Sequence, residues 1–343
     1  MYFKKVNEQT LSKALFKNPT SEYRGVPFWA WNNVLEKDTL HEQMGIFKKM
    51  GFGGFHMHGR AGLMTEFFSD EYNDALKFCA KKAEEMDMYA FMMDEECTLV
   101  GLEPEYCAKN IRFTKGKIEV FPKDEAIRLG KTYFFGAYDL RFNEKLELVS
   151  YKRVDEDEFC ENKFYAYVET YITDQVPVQG DRLNEKAVRK IIERTYGKIK
   201  ETIGDNFGKS VPAIFNDEPV YGINDNMIFS DGSSSGTVPW TTDLDVDILR
   251  EIGLDIKEKL PEMFFAKENN EPSRVKYEFY KYITDRYSKC YFQQLNDWCK
   301  ENGVLLTGHI MQEDSMFQQV HREGSVMRHY PKYDIPGMDL LMN

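Results

Sequence analysis

The chain has 343 residues, enough for one large α/β barrel or two domains. Its formal net charge of −12 and pI of about 5.2 argue against nucleic acid or an anionic membrane as partner. No run approaches the roughly 20 apolar residues of a membrane span. The start, MYFKKVNEQT, lacks the apolar stretch of a signal peptide, so the expected compartment is the cytoplasm.

In chain order, residues 1–24 form a polar lead-in with a weak helical pattern near Glu8–Phe16. Val26–Trp31 reads as a first strand. Asp38 can cap a helix carrying Leu40, Met44, Phe47 and Met50, closed by Gly51. Phe52–Gly59 is a second strand. A helix over Glu71–Glu85 has Tyr72, Ala75, Leu76, Cys79 and Ala83 as its apolar stripe, and Met88–Met93 is a third strand running into Asp94-Glu95-Glu96. Strand and helix alternating at this pace predict βα units and a parallel sheet. No GxGxxG or P-loop follows any strand.

From Ile111 to Thr173 the pattern changes to period two: Lys117–Phe121, Lys145–Val149 and Phe164–Tyr171, with Gly130 and Asn143 as turn residues. These are antiparallel strands, read as a small β subdomain inserted after the third strand. Helical spacing resumes over Asn184–Thr202. Ala213-Ile214-Phe215 is a fourth core strand ending in Asn216-Asp217-Glu218-Pro219. Ser230–Gly236 reads as a Gly/Ser-rich loop able to act as a lid. Asp245–Met263 is helical, and Pro272 precedes a long helix, Val275–Asn302. Val304–His309 and Gly337–Met342 are the fifth and sixth core strands. The expected division is residues 1–110 for the first three barrel strands, 111–180 for the β subdomain and 181–343 for strands four to six. The fold class is an α/β chain with an incomplete (β/α)8 TIM-type barrel: the last two strands of a closed barrel are not visible in it.

Four core strands end in ionisable side chains: His56/His58, Asp94/Glu95/Glu96, Asp217/Glu218 and His309/Glu313. In a barrel such ends meet at one mouth. Two carboxyl groups across a mouth suit glycoside hydrolysis, one donating a proton and the other activating water or attacking the anomeric carbon. Because successive strand residues face opposite sides, only one of Asp217 and Glu218 is expected in the pocket. His56-x-His58, with His309 and His329, also fits a divalent metal site, and the carboxylates fit calcium or magnesium. The high aromatic content suits sugar stacking as well as packing. The six cysteines (Cys79, Cys97, Cys107, Cys160, Cys290 and Cys299) form no CxxC and read as free thiols.

PFWAWN (Pro27–Asn32), GFGGFHMHGR (Gly51–Arg60), MMDEE (Met92–Glu96), FNDEP (Phe215–Pro219), LTGHIMQED (Leu306–Asp314) and VMRHYPKYDIPGMDLL (Val326–Leu341) resemble the catalytic barrel of large bacterial glycoside hydrolases, the α-L-rhamnosidase family numbered 106 and its relatives. The resemblance implies a (β/α)8 barrel that cleaves glycosidic bonds, with Glu218 as acid and Glu313 as second carboxylate. It implies a sugar pocket of Trp31, His56, His58, Arg60, Asp94, Glu95, Asp217, His309, Arg328, His329 and Asp334, and calcium in some relatives, with no cofactor required. The chain departs from that pattern at Cys97–Gly101, where relatives carry Trp/Tyr-Pro-Ser-Gly, and relatives are much longer. The expected partner is a carbohydrate, and the open edge of an unclosed barrel favours homo-oligomers. The alternatives are a metal-dependent hydrolase at His-x-His and a non-catalytic sugar-binding fragment.

Overall fold

The computed structural model describes residues 12–94, 102–115, 117, 128–172, 180–221, 235–311 and 315–340. Within them the strands are β1 (Phe28–Trp31), β2 (Gly54–Gly59), β3 (Tyr89–Met93), β4 (Lys109–Thr114), β5 (Arg128–Phe142), β6 (Leu148–Val154), β7 (Lys163–Ile172), β8 (Ala213–Asn216), β9 (Ser235–Trp240), β10 (Leu305–Gly308) and β11 (Ile335–Pro336). They make two sheets. One is parallel, in the order β1-β2-β3-β8-β10-β11; the other is antiparallel, in the order β6-β5-β7-β4-β9.

The parallel sheet follows from short apolar runs joined by helices. Its outer face carries Trp29, Trp31, Phe55, Met57, Met92, Ile214 and Leu306, all buried in the main core. The helix Asp70–Glu85 covers part of that face; Ser69 caps it by accepting from the Tyr72 amide, and its buried stripe is the predicted one with Ala80 added. Each large side chain so buried contributes about 1.5–3 kcal/mol before entropy is counted.

The inner face is strongly concave. The pairing register places Phe28, His56, Phe91 and Phe215 on it. β1 and β8 are three strand intervals apart, about 14 Å in a flat sheet. Yet the Phe28 and Phe215 ring centroids lie 5.3 Å apart. The sheet therefore curves as a barrel wall does. Among the described residues it does not close: β1 and β11 are its edges. The structure shows mixed α/β architecture with an open curved sheet; the sequence predicts an incomplete (β/α)8 barrel, and no closed barrel is present among the described residues.

Several elements differ from the sequence reading for local reasons. The antiparallel sheet is not made by the insertion alone, because β9, which follows β8, pairs with β4 along its length. Its first residues belong to the stretch read as a lid; residues 222–234 lie outside the described ones. Pro239 is tolerated because β9 is an edge strand. Gly130 marks a register shift inside β5, not a turn. The strand expected over Lys145–Val149 starts at Leu148, after a turn with Leu146 at φ +61°. The long helix is Arg274–Tyr287 and Gln294–Glu301 joined by a π-helical stretch, Ser288–Gln293. The sixth core strand is Ile335–Pro336, just before the predicted segment. The strand expected over Lys117–Phe121 falls mostly outside the described residues.

Candidate active site

The C-terminal ends of the parallel strands share one rim. Arg60 follows β2 and is exposed, Asp94 follows β3, Asp217 and Glu218 follow β8, and His309 follows β10. Gly308 makes the approach of β8 and β10 possible. Its φ is +147°, and a Cβ there would lie 2.1 Å from the Asn216 carbonyl oxygen.

His309 is the meeting point. Its Nε2 lies 2.9 Å from Asp217 Oδ1, and its side chain is 8% exposed. Glu218, His309 and Asp339 each bring one polar atom within 4.8 Å of the others. Glu218 has φ +42°, a left-handed conformation costing on the order of 1–3 kcal/mol for a non-glycine residue. That turn ends the strand alternation. Asp217 and Glu218 consequently both gather at His309, where strand geometry alone places only one of them in the pocket.

Asp94 lies beneath this group. It is 1% exposed, and its Oδ2 accepts from Tyr196 Oη at 2.9 Å and from Asn216 Nδ2 at 2.6 Å. Asn216 Oδ1 in turn accepts from Tyr333 Oη at 2.9 Å, and the Tyr291 hydroxyl lies 2.9 Å from Asn216 Nδ2. Burial pushes the Asp94 carboxyl up to about 7, against the pull of the Asn216 and Tyr196 hydrogen bonds, and nearby Asp217 pushes the same way. So buried, Asp94 supports the rim from behind through Asn216 and Tyr196.

The concave face below the rim is aromatic. His56 packs between Phe28, Phe91 and Phe215, with centroids at 5.0, 4.7 and 5.3 Å. Burial lowers its pKa to about 4, so it is a neutral imidazole at pH 7. His58 shares that face and is buried, 6.0 Å from the Phe28 ring.

The other sequence-predicted residues are placed elsewhere. Trp31 is 2% exposed, on the outer face against Trp29 and Tyr72. His329 is fully buried in the helical layer, its Nε2 2.9 Å from the Glu323 carbonyl and its ring stacked on Phe292. Arg328 pairs with Asp285 at 2.5 Å. Asp334 precedes β11; its Oδ2 accepts from the Leu306 amide and from Asn296, on the inlet side of the sheet. Glu95 and Glu313 lie outside the described residues. Sequence reasoning missed Asp339, Asn216, Tyr196, Tyr291 and Tyr333. Asn216 adjoins the expected carboxylates and was within reach of it. The tyrosines sit on helical or turn segments and carry no positional signal.

The metal readings meet a mixed donor set. Among the described residues, His56 and His58 belong to no group of three potential ligands, while Glu218, His309 and Asp339 form one. Two carboxylates and an imidazole suit zinc or manganese.

No protein-family model matches the sequence, and no curated protein matches it. The fold is similar to that of a solved rhamnosidase from Novosphingobium sp. PP1Y, with a TM-score of 0.60. The likeness covers 94% of this chain at 12% identity, and the chain spans 48% of that enzyme's length. What is shared is a rhamnosidase-like fold. Among the described residues no helix is long and apolar enough to cross a membrane.

Proposed function

We propose that this chain carries the catalytic site of a glycoside hydrolase, with an α-L-rhamnoside-like substrate, on a wall of (β/α)8 type. The observation that carries this reading is the gathering of Asp217, Glu218 and Asp339 around His309 at the C-terminal rim of a curved parallel sheet. The fold likeness to a rhamnosidase supports it.

Glu218 is the proton donor to the leaving oxygen. The backbone strain at that residue is consistent with a side chain held for chemistry. Asp217 holds His309, which in turn fixes the edge of the pocket beside Glu218. Glu313, five residues beyond Gly308, is the proposed second carboxylate. His56, His58 and Phe28 offer an apolar and imidazole floor for a sugar ring.

The test is Glu218→Gln assayed on a panel of aryl and alkyl glycosides that includes α-L-rhamnosides. Loss of the acid lowers turnover by about 10²–10⁴-fold with the melting temperature unchanged. The loss is larger for alkyl than for nitrophenyl aglycones, because a nitrophenolate departs without a proton. Equal turnover by parent and variant sinks the assignment.

A second reading is favoured by the three-ligand group: a divalent transition metal held by Glu218, His309 and Asp339. Metal analysis before and after chelation separates the two. About one zinc or manganese per chain, with activity lost on chelation and restored on reloading, selects the metal-dependent hydrolase. Unchanged turnover after exhaustive chelation selects the carboxylate mechanism.

A further inference from the structure

Away from the rim, a cavity of about 540 Å³ opens between the helix Arg274–Tyr287 and the segment from Val320 to Arg328. It shares none of its lining with the rim residues. Gly324, at φ +82°, presses that segment onto the helix: a Cβ there would lie 1.7 Å from Thr284 Oγ1. The volume lies within the usual range for small-molecule sites, roughly 300–1,000 Å³.

The lining chemistry is segregated. Lys276, Lys281, His321 and Arg328 surround the space, and among the described residues no aspartate or glutamate lines it. On a chain of net charge −12 this is a local reversal of sign. Arg328 is anchored by Asp285, outside the lining, which fixes the guanidinium without neutralising both lysines. Lys276 is half-buried and makes no ion pair among the described residues, and desolvation lowers its pKa. An anion entering the cavity would meet that charge. Two tyrosines complete the wall; Tyr277 is 62% exposed and offers its ring to solvent.

We infer that this cavity binds an anionic monosaccharide, its carboxylate or phosphate held by Lys276, Lys281 and Arg328 and its pyranose ring laid on Tyr277. A neutral sugar has no use for three cations, and a bare inorganic anion has none for the aromatic wall or the volume. Charge-assisted hydrogen bonds from lysine and arginine are the stronger kind and set the preference for an acidic sugar.

Calorimetric titration of the intact protein with glucuronate, glucose 6-phosphate, glucose and inorganic phosphate tests this. At least one acidic sugar binds, at least about tenfold more tightly than glucose or phosphate; which of the two prevails identifies the anionic group as carboxylate or phosphate. Lys276→Met and Tyr277→Ala each weaken it about tenfold, and Glu218→Gln leaves it unchanged. If Lys276→Met lowers the melting temperature, Lys281→Ser, at an exposed position, replaces it in the comparison. Absence of binding by both acidic sugars at about 10 mM overturns the inference. So does phosphate binding as tightly as the sugar phosphate, or affinity indifferent to the lysine and tyrosine substitutions.

Discussion

At the residue scale, Asp94 couples the chemistry of the rim to the stability of the fold. In the unfolded chain its carboxyl ionises near 3.8; in the folded protein burial holds the proton until about pH 7. Between those values the folded state binds a proton that the unfolded chain has released, so stability falls as pH rises through this window. Asp181, buried and raised to about 6, acts in the same sense. His56 and His329, lowered to about 4 by burial, act oppositely between pH 4 and 6.5. Comparing Asp94→Asn with the parent cancels those contributions. The amide keeps an acceptor for Tyr196 and Asn216 but cannot ionise. Urea unfolding at pH 5 and pH 8 is expected to show the variant gaining about 2–3 kcal/mol on the parent over that interval. Parallel pH dependence in the two proteins would place the proton elsewhere.

At the scale of elements, glycines set opposite expectations according to what faces them. Gly308→Ala drives a methyl group into the Asn216 carbonyl and destroys the β8–β10 contact that presents His309 to Asp217. It is expected to cost more than about 4 kcal/mol, or to abolish soluble expression. Gly45 lies inside the helix Lys37–Lys49, and a methyl group added there would meet nothing within 4 Å. Gly45→Ala is expected to stabilise by about 0.5–1 kcal/mol. Thermal melts of both variants check the pair, and a neutral Gly308→Ala would contradict the strand approach described above.

The same scale explains what was legible. Asp70–Glu85 could be read within a residue because its apolar stripe runs at helical spacing from Tyr72 to Ala83. The strand ends could be read because apolar runs stop abruptly at Asp94 and Asn216. β9 could not: Ser-Gly-Thr-Val-Pro-Trp has weak strand propensity and becomes a strand only by pairing with β4, distant in sequence. Asp339 was missed because nothing beside it distinguishes a rim carboxylate from a solvated one. Trp31, His329 and Asp334 are named on the family resemblance, which says nothing of the face on which a side chain lands.

At the scale of the molecule, the two sheets share one core. The main apolar cluster includes Trp29 and Phe55 on the parallel sheet together with Phe113, Phe164, Val168 and Trp240 on the antiparallel one. Side chains of the helical layer and its turns pack on the antiparallel sheet: Trp240 stacks on Phe279 at 6.4 Å, and Phe113 on Phe264 at 4.7 Å. A sheet that borrows β9 from beyond β8 and shares its apolar contacts with the helices has little of its own to fold around. The antiparallel sheet should therefore not unfold by itself. Phe113 is fully buried and also stacks on Phe164 at 5.5 Å, so Phe113→Ala opens a cavity expected to cost about 3–5 kcal/mol. If the core is one cooperative unit, the variant melts in a single transition at lower temperature. Near-ultraviolet dichroism and any glycosidase activity are then lost together, although Phe113 is on the other sheet from the rim. Two separated transitions, with the rim chemistry surviving the first, would instead make the antiparallel sheet an autonomous module.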